Sequence, residues 1–396
     1  MDKLAVLKRQ AQSLTIFRRL LTNPAVERML RMADTREKSV EEAVCAYADF
    51  AASLFPHSLN WSEYLLTLVL EDENFYMLKK ARDEEPGEEL DACLKQELSI
   101  LGDLSRVSGE EISREIDFEG RLPRWQTSDI DFYAVYKQRM EEIHAHGYGI
   151  FAKYAAFVVE DGELMPVKNP DDVNLSQLSG YNRERQEVID NTRALLKGLP
   201  AANALLYGDA GTGKSTTVKA VANEFKDKGL RLIELKKHQL HQIPKLVDYL
   251  SKNPLKFILF IDDLSFTKDD DDFAALKAIL EGSVSSKANN LVVYATSNRR
   301  HLVKEKFSDR DGDEVHKNDT MEELISLSDR FGLTITFIKP GKDGYLNIVR
   351  DLAQQYALSL DIHEVEAAAE RFALSRGGRS PRVAKQCVEH LKAMEA

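Results

Sequence analysis

The run Gly208-Asp209-Ala210-Gly211-Thr212-Gly213-Lys214-Ser215 constrains this chain more than any other stretch of its sequence. It fits G-x-x-x-x-G-K-[ST], and its flanks are the ones that pattern needs: an apolar strand over Ala204–Tyr207 and a helix opening at Lys214. The glycines let consecutive backbone N–H groups turn inward onto phosphate oxygens, and the helix behind them adds the positive end of its dipole. Lys214 then reaches the β- and γ-phosphates, Ser215 offers a hydroxyl to Mg²⁺, and Thr216 continues the cradle into the helix. The alternative reading is a glycine-rich turn without a ligand.

A partner signal lies one strand-helix unit further along. Phe257-Ile258-Leu259-Phe260-Ile261 is a continuous apolar run that predicts a strand buried on both faces, and it ends in Asp262-Asp263. Such a strand delivers its first carboxylate to the sheet edge beside the phosphates. Asp262 therefore joins Ser215 as a metal ligand, and Asp263 is placed to orient an attacking water. Taken alone, an apolar strand followed by two aspartates also fits a helix cap.

Around these motifs the chain divides by its periodicity. Residues 1–147 read as helix after helix, with starts at Asn23-Pro24, Ser39, Ser108 and Asp131 and a stop at Gly147. Trp61, Tyr64, Phe75 and Tyr76 fall at helical spacing and read as core. Residues 148–172 carry a hairpin, Ala155–Val159 and Leu164–Val167 around Asp161-Gly162, which reads as a linker. Residues 173–340 alternate strand and helix, which predicts a parallel five-stranded sheet covered on both faces. Its strands are Ala204–Tyr207, Leu230–Leu235, Phe257–Ile261, Leu291–Ala295 and Leu333–Ile338, with a helix expected over Phe273–Leu280. Residues 341–396 turn purely helical, a small lid of three helices.

Composition narrows the partners. The 396 residues carry 54 Lys and Arg against 65 Asp and Glu, a formal net charge of −11, which argues against coating nucleic acid or an anionic membrane with the whole surface. No apolar run approaches the roughly 20 residues of a membrane span, and MDKLAVLKRQ lacks the apolar segment of a signal peptide. Three cysteines, Cys45, Cys93 and Cys387, without a C-x-x-C pair suit a reducing cytoplasm. His238-x-x-His241 lacks acidic or cysteine company and reads as surface. So do Lys236, Lys237, Lys245 and the Arg299-Arg300-His301 turn, which have no interleaved aromatics. The acidic run Asp269–Asp272 reads as a solvated helix start. The polar insertion Ser308–Thr320 reads equally as a partner-contacting loop and a solvated linker.

The order of features from Leu178 onward resembles an AAA+ ATPase, an α/β P-loop fold with a C-terminal helical lid, here preceded by an all-α region. Leu291-Val292-Val293-Tyr294-Ala295-Thr296-Ser297-Asn298 resembles the sensor-1 strand. The resemblance implies that Asn298 contacts the γ-phosphate or the lytic water, with Ser297 as the neighbour that could share the role. Leu327-Ser328-Asp329-Arg330-Phe331-Gly332 is similar to the segment carrying the arginine finger, which implies that Arg330 serves a neighbouring subunit; an ion pair with Asp329 is the plain alternative. Gly377-Gly378-Arg379-Ser380-Pro381-Arg382 resembles the sensor-2 motif, with Arg382 the first candidate and Arg379 the reserve. Leu178-Ser179-Gly180-Tyr181 sits where the family places its adenine-contacting loop, which implies a role for Tyr181. An always-charged planar guanidinium suits phosphoryl oxygens that gain charge in the transition state.

One position departs from the pattern. The second acid is Asp263 where most AAA+ ATPases have glutamate, although bacterial replication initiators and their relatives also carry the Asp-Asp form. The chain most resembles a bacterial family of single-AAA+ ATP-binding proteins with a helical N-terminal region. That resemblance implies ATP and Mg²⁺ as cofactors, a homo-oligomer, and a protein or nucleic-acid substrate that it does not name. Two other functions compete: a slow ATP-dependent switch or adaptor presenting its helical domain, and a P-loop kinase. The lid, Asn298 and Arg330 argue against the kinase.

Overall fold

The computed structural model describes residues 3–34, 39–264, 276, 280, 289–298 and 330–395. Apart from Leu276 and Leu280, the expected helix over Phe273–Leu280 lies outside the described residues, as do Asp269–Asp272, Arg299-Arg300-His301 and Ser308–Thr320. Two compact units make up the chain, Met1–Lys153 and Tyr154–Ala396.

The first unit is helical: α1 (Lys3–Ala11), α2 (Pro24–Arg31), α3 (Val40–Leu54), α4 (Trp61–Glu71), α5 (Phe75–Ala81), α6 (Glu88–Ser105), α7 (Gly109–Ser113), α8 (Phe132–Glu141), α9 (Ile143–His146) and α10 (Ile150–Lys153). Short polar residues start the helices because they satisfy backbone N–H groups that lack an intrahelical partner. Asn23 Oδ1 accepts from the N–H groups of Ala25 and Val26, and Ser39 and Ser108 form reciprocal capping boxes with Glu42 and Glu111. The core gathers Phe17, Phe50, Leu54, Trp61, Leu101 and Tyr136, all essentially inaccessible. Phe50 meets Trp61 and Trp125 edge-on at 5.1 and 4.6 Å. Both indoles find acceptors, Trp61 on the Leu104 carbonyl and Trp125 on that of Val107, so neither N–H is buried unpaired. Phe75, expected in this core, is instead 39% exposed.

The second unit is built on one sheet in the order β2-β1-β4-β5-β6-β3-β7. Its strands are β1 (Ala156–Glu160), β2 (Glu163–Pro166), β3 (Ala204–Gly208), β4 (Leu230–Leu235), β5 (Lys256–Ile261), β6 (Leu291–Ser297) and β7 (Leu333–Phe337). Among the described strands only β1 and β2 are antiparallel, joined through Asp161-Gly162, whose φ values of +48° and +82° suit a tight hairpin turn. Among the described residues the sheet therefore has seven strands rather than five. The hairpin is not a separate linker, because β1 lies parallel to β4 from Ala156↔Leu232 to Val158↔Glu234 and extends the sheet's edge. Among the described helices of this unit, α11 (Asn182–Leu196), α12 (Lys214–Phe225) and α13 (Ile243–Leu250) alternate with strands, and α14 (Lys342–Gln355), α15 (Ile362–Ser375) and α16 (Pro381–Glu395) form the C-terminal bundle.

β3 sits between β6 and β7 although β4 follows it in sequence. A strand is thus interposed between the one that ends in the glycine-rich loop and the one that ends in Asp262. This is the α/β P-loop fold of the AAA+ type, with a helical lid.

Candidate nucleotide-binding site

The carboxyl ends of β3, β5 and β6 converge because the three strands are parallel and adjacent. The loop after β3 needs its glycines. Gly208, Gly211 and Gly213 take φ of +133°, +79° and +92°, a region open to glycine and costly for other residues. At Gly208 a Cβ would lie 2.1 Å from the carbonyl oxygen of Phe337, so a side chain there would separate β3 from β7. Asp209 ties the loop to the chain beyond β7: its N–H donates to the Phe337 carbonyl and its Oδ2 accepts from Lys339 N–H at 2.8 Å.

Lys214, the first residue of α12, is 6% exposed. Its Nζ donates to the carbonyls of Gly208 (2.9 Å) and Asp209 (2.8 Å) and to Asn298 Oδ1 (3.0 Å). Burial pushes its ammonium below the usual lysine value, and the carboxylates of Asp209, Asp263 and Asp262 oppose that shift. Asn298 also donates from Nδ2 to Asp263 Oδ1 at 2.7 Å, so one amide joins the lysine to the second aspartate. Ser215 Oγ donates to Asp262 Oδ1 at 2.6 Å. A serine hydroxyl beside a carboxylate at a helix N-terminus is a hard-oxygen pair that fits Mg²⁺, which takes few protein ligands alongside substrate phosphates.

The lid closes over this loop from the other side. The N–H of Arg382 donates to the Gly211 carbonyl at 3.2 Å, and a Cβ on Gly211 would come within 3.2 Å of Ser380 Oγ. Together these elements wall a cavity of about 1030 Å³ lined by residues 210–217, Asp262, Asp263, Asn298 and Arg382. Leu178 and Ser179 also line it, as do Ile348, Leu352 and Tyr356 of the lid.

Several pairs of candidates separate by position. Asn298 lines the cavity whereas Ser297, 1% exposed, is not among the lining residues. Arg382 lines it whereas Arg379 makes a two-toothed ion pair with Glu370 at 2.9 and 2.7 Å within the lid. Tyr181 is not in the wall: its hydroxyl donates to the Ile338 carbonyl at 2.6 Å, its ring packs on Phe337, and burial lifts its pKa to about 12. The neighbouring Leu178 and Ser179 are what reach the cavity. Arg330 lies just before β7, whose register with β3 runs from Ala204↔Leu333 to Gly208↔Phe337. It therefore sits at the sheet edge opposite the phosphate loop, away from its own cavity. Asp329 lies outside the described residues.

Three wall residues carry signals that the sequence reading passed over. Thr296, near the end of β6 and two positions before Asn298, lines the cavity as Asn298 does. Lys385 is three after Arg382, hence on the same face of α16. Arg185, 7% exposed on α11, lines the cavity itself and donates to the Leu178 carbonyl, steadying a loop that contributes to the wall.

Residues 152–395 match the family described as "Protein of unknown function (DUF815)". The proteasome-activating nucleotidases of Methanococcus maripaludis and Methanococcus vannielii are each 23% identical over 233 residues, covering 52% of this chain and 53% of theirs. The chain thus spans about half the length of the curated relatives it matches. Among solved structures, the Thermotoga maritima RuvB Holliday junction branch migration motor aligns with 56% of this chain and 66% of its own, at 14% identity and a TM-score of 0.38. Among the described residues no helix is long and apolar enough to cross a membrane.

Proposed function

The chain belongs to the DUF815 family, and we propose that it binds ATP with Mg²⁺, hydrolyses it, and acts as a homo-oligomer whose nucleotide cycle remodels or loads a protein or nucleic-acid partner. The observation that carries this reading is a single cavity lined by the glycine-rich loop, Lys214, both aspartates, Asn298 and Arg382.

Each group has a role its chemistry suits. The loop's N–H groups and Lys214 hold the β- and γ-phosphates. Ser215 and Asp262 would hold Mg²⁺, which supplies charge neutralisation on the transferring phosphoryl group. Asp263 takes the proton of the attacking water, and Asn298, already bonded to it, keeps that carboxylate facing the phosphate end. Arg382 brings a fixed positive charge from the lid onto its own subunit's nucleotide, and Arg330, at the opposite sheet edge, serves a neighbour's.

A second reading, a slow ATP-dependent switch, is favoured by Asp263 itself, which is one methylene shorter than glutamate. Binding and turnover measured across a range of protein concentrations test both. The motor reading expects specific activity to rise steeply with assembly, and the switch expects tight binding with little turnover at every concentration. ATP affinity unchanged by Lys214→Ala would sink the nucleotide site altogether.

A further inference from the structure

We infer that Thr296 is a positioning residue for this site, its hydroxyl fixing both the metal-side carboxylate of Asp262 and the backbone bend that delivers Asp263. The inference rests on the ATP-hydrolysing reading above.

Thr296 is 2% exposed near the end of β6 and lines the nucleotide cavity. The register of β5 with β6 sets Ile261 opposite Ala295, so the next residues along, Asp262 and Thr296, face each other where the strands end. Thr296 Oγ1 donates to Asp262 Oδ1 at 2.5 Å and accepts from the N–H of Asp263 at 2.9 Å. The Thr296 carbonyl accepts from the N–H of Leu264 at 2.7 Å. A hydroxyl has one hydrogen to give and lone pairs to receive, and this one is used in both senses.

The consequence falls on Asp263. Its φ is +52°, a left-handed conformation that aspartate tolerates at some cost. In that conformation its N–H faces Thr296 and its short side chain meets Asn298 at 2.7 Å. Backbone rotation held by Thr296 thus supplies reach that a longer side chain would otherwise provide. Valine has the same shape without the hydroxyl, so it would leave Asp262 one donor short and the Asp263 N–H without that acceptor.

The test compares wild type, Thr296→Val and Thr296→Ser in turnover, in affinity for a fluorescent ATP analogue with and without Mg²⁺, and in thermal unfolding. Thr296→Val should lower kcat by about 10–100-fold, the usual effect of removing a group that orients a metal ligand, and shrink the Mg²⁺-dependent gain in affinity. Its metal-free affinity should stay within about threefold, a difference under 1 kcal/mol. Thr296→Ser should restore both quantities. Should the valine variant fail to fold, Thr296→Cys, with similar reach and weak hydrogen bonding, should show the same losses. Full turnover in a folded Val or Cys variant, or no recovery with serine, would overturn the role of Thr296 alone. A wild-type protein that neither binds nor hydrolyses ATP would overturn the reading beneath it.

Discussion

Glu97 and Asp263 are both carboxylates, and their surroundings give them opposite work. Glu97 on α6 is 4% exposed and accepts from the backbone N–H groups of Thr15, Ile16 and Phe17 at 2.7, 3.1 and 3.0 Å. It pins the segment after α1 against α6. Glu97→Gln turns an amide N–H₂ toward backbone donors, and should cost about 1–3 kcal/mol in denaturant unfolding of the first unit. An unchanged midpoint would mean that those donors find other partners. Asp263 lies in the cavity wall, where Asp263→Asn should keep ATP bound and stop turnover, since it removes the proton acceptor and spares Asp262. Equal loss of binding would reverse the two aspartates. The pair also marks where sequence is informative. Asp263 announces itself through the apolar strand before it. Glu97 gives no local sign, because its three donors lie some eighty residues earlier in the chain.

Each core strand and each lid helix was legible, because alternation and helical periodicity are properties of a few consecutive residues. What the elements do to one another was less so. The hairpin's turn could be read from Asp161-Gly162, but its attachment to β4 pairs segments far apart in sequence, and the alternation of β1 is the same whether or not β4 lies beside it. The lid is a second case. Its three helices share a core of Tyr345, Val349, Ala369, Ala384 and Val388, and Tyr345 donates to the Ala369 carbonyl across it. Arg379 and Arg382 sit in one short motif, where sequence ranks Arg382 first and Arg379 in reserve; the structure gives the reason, because Glu370 pairs with Arg379 while Arg382 lines the cavity wall. Arg382→Ala should therefore lower ATP affinity or turnover by about tenfold or more, given ~1.5–3 kcal/mol for a hydrogen bond to a charged group. Arg379→Ala should leave both near wild type and loosen the lid to hydrogen exchange. Equal losses of activity in the two variants would refute this division.

Arg330 matters at the scale of the assembly. It precedes β7, at the end of that strand opposite the phosphate loop, and on the finger reading it serves a nucleotide across a subunit boundary. Arg330→Ala should then leave ATP affinity nearly intact and cut turnover sharply, fingers being worth roughly 10³–10⁵ in rate. Mixing it with Lys214→Ala should restore some activity, because certain interfaces then combine an intact loop with an intact arginine. A demonstrably mixed oligomer that stays inactive, or a monomer that hydrolyses at the full rate, would refute action in trans. The strand order also bears on how the site comes into being. β3, which carries the phosphate loop, takes both neighbours from later in the chain, β6 beginning at Leu291 and β7 at Leu333, and the lid follows β7. A nascent chain leaving the ribosome therefore displays the whole glycine-rich stretch well before either strand that flanks β3 has been made. On the nucleotide-binding reading, a chain grown only as far as β5 would hold the loop's sequence but not yet the site.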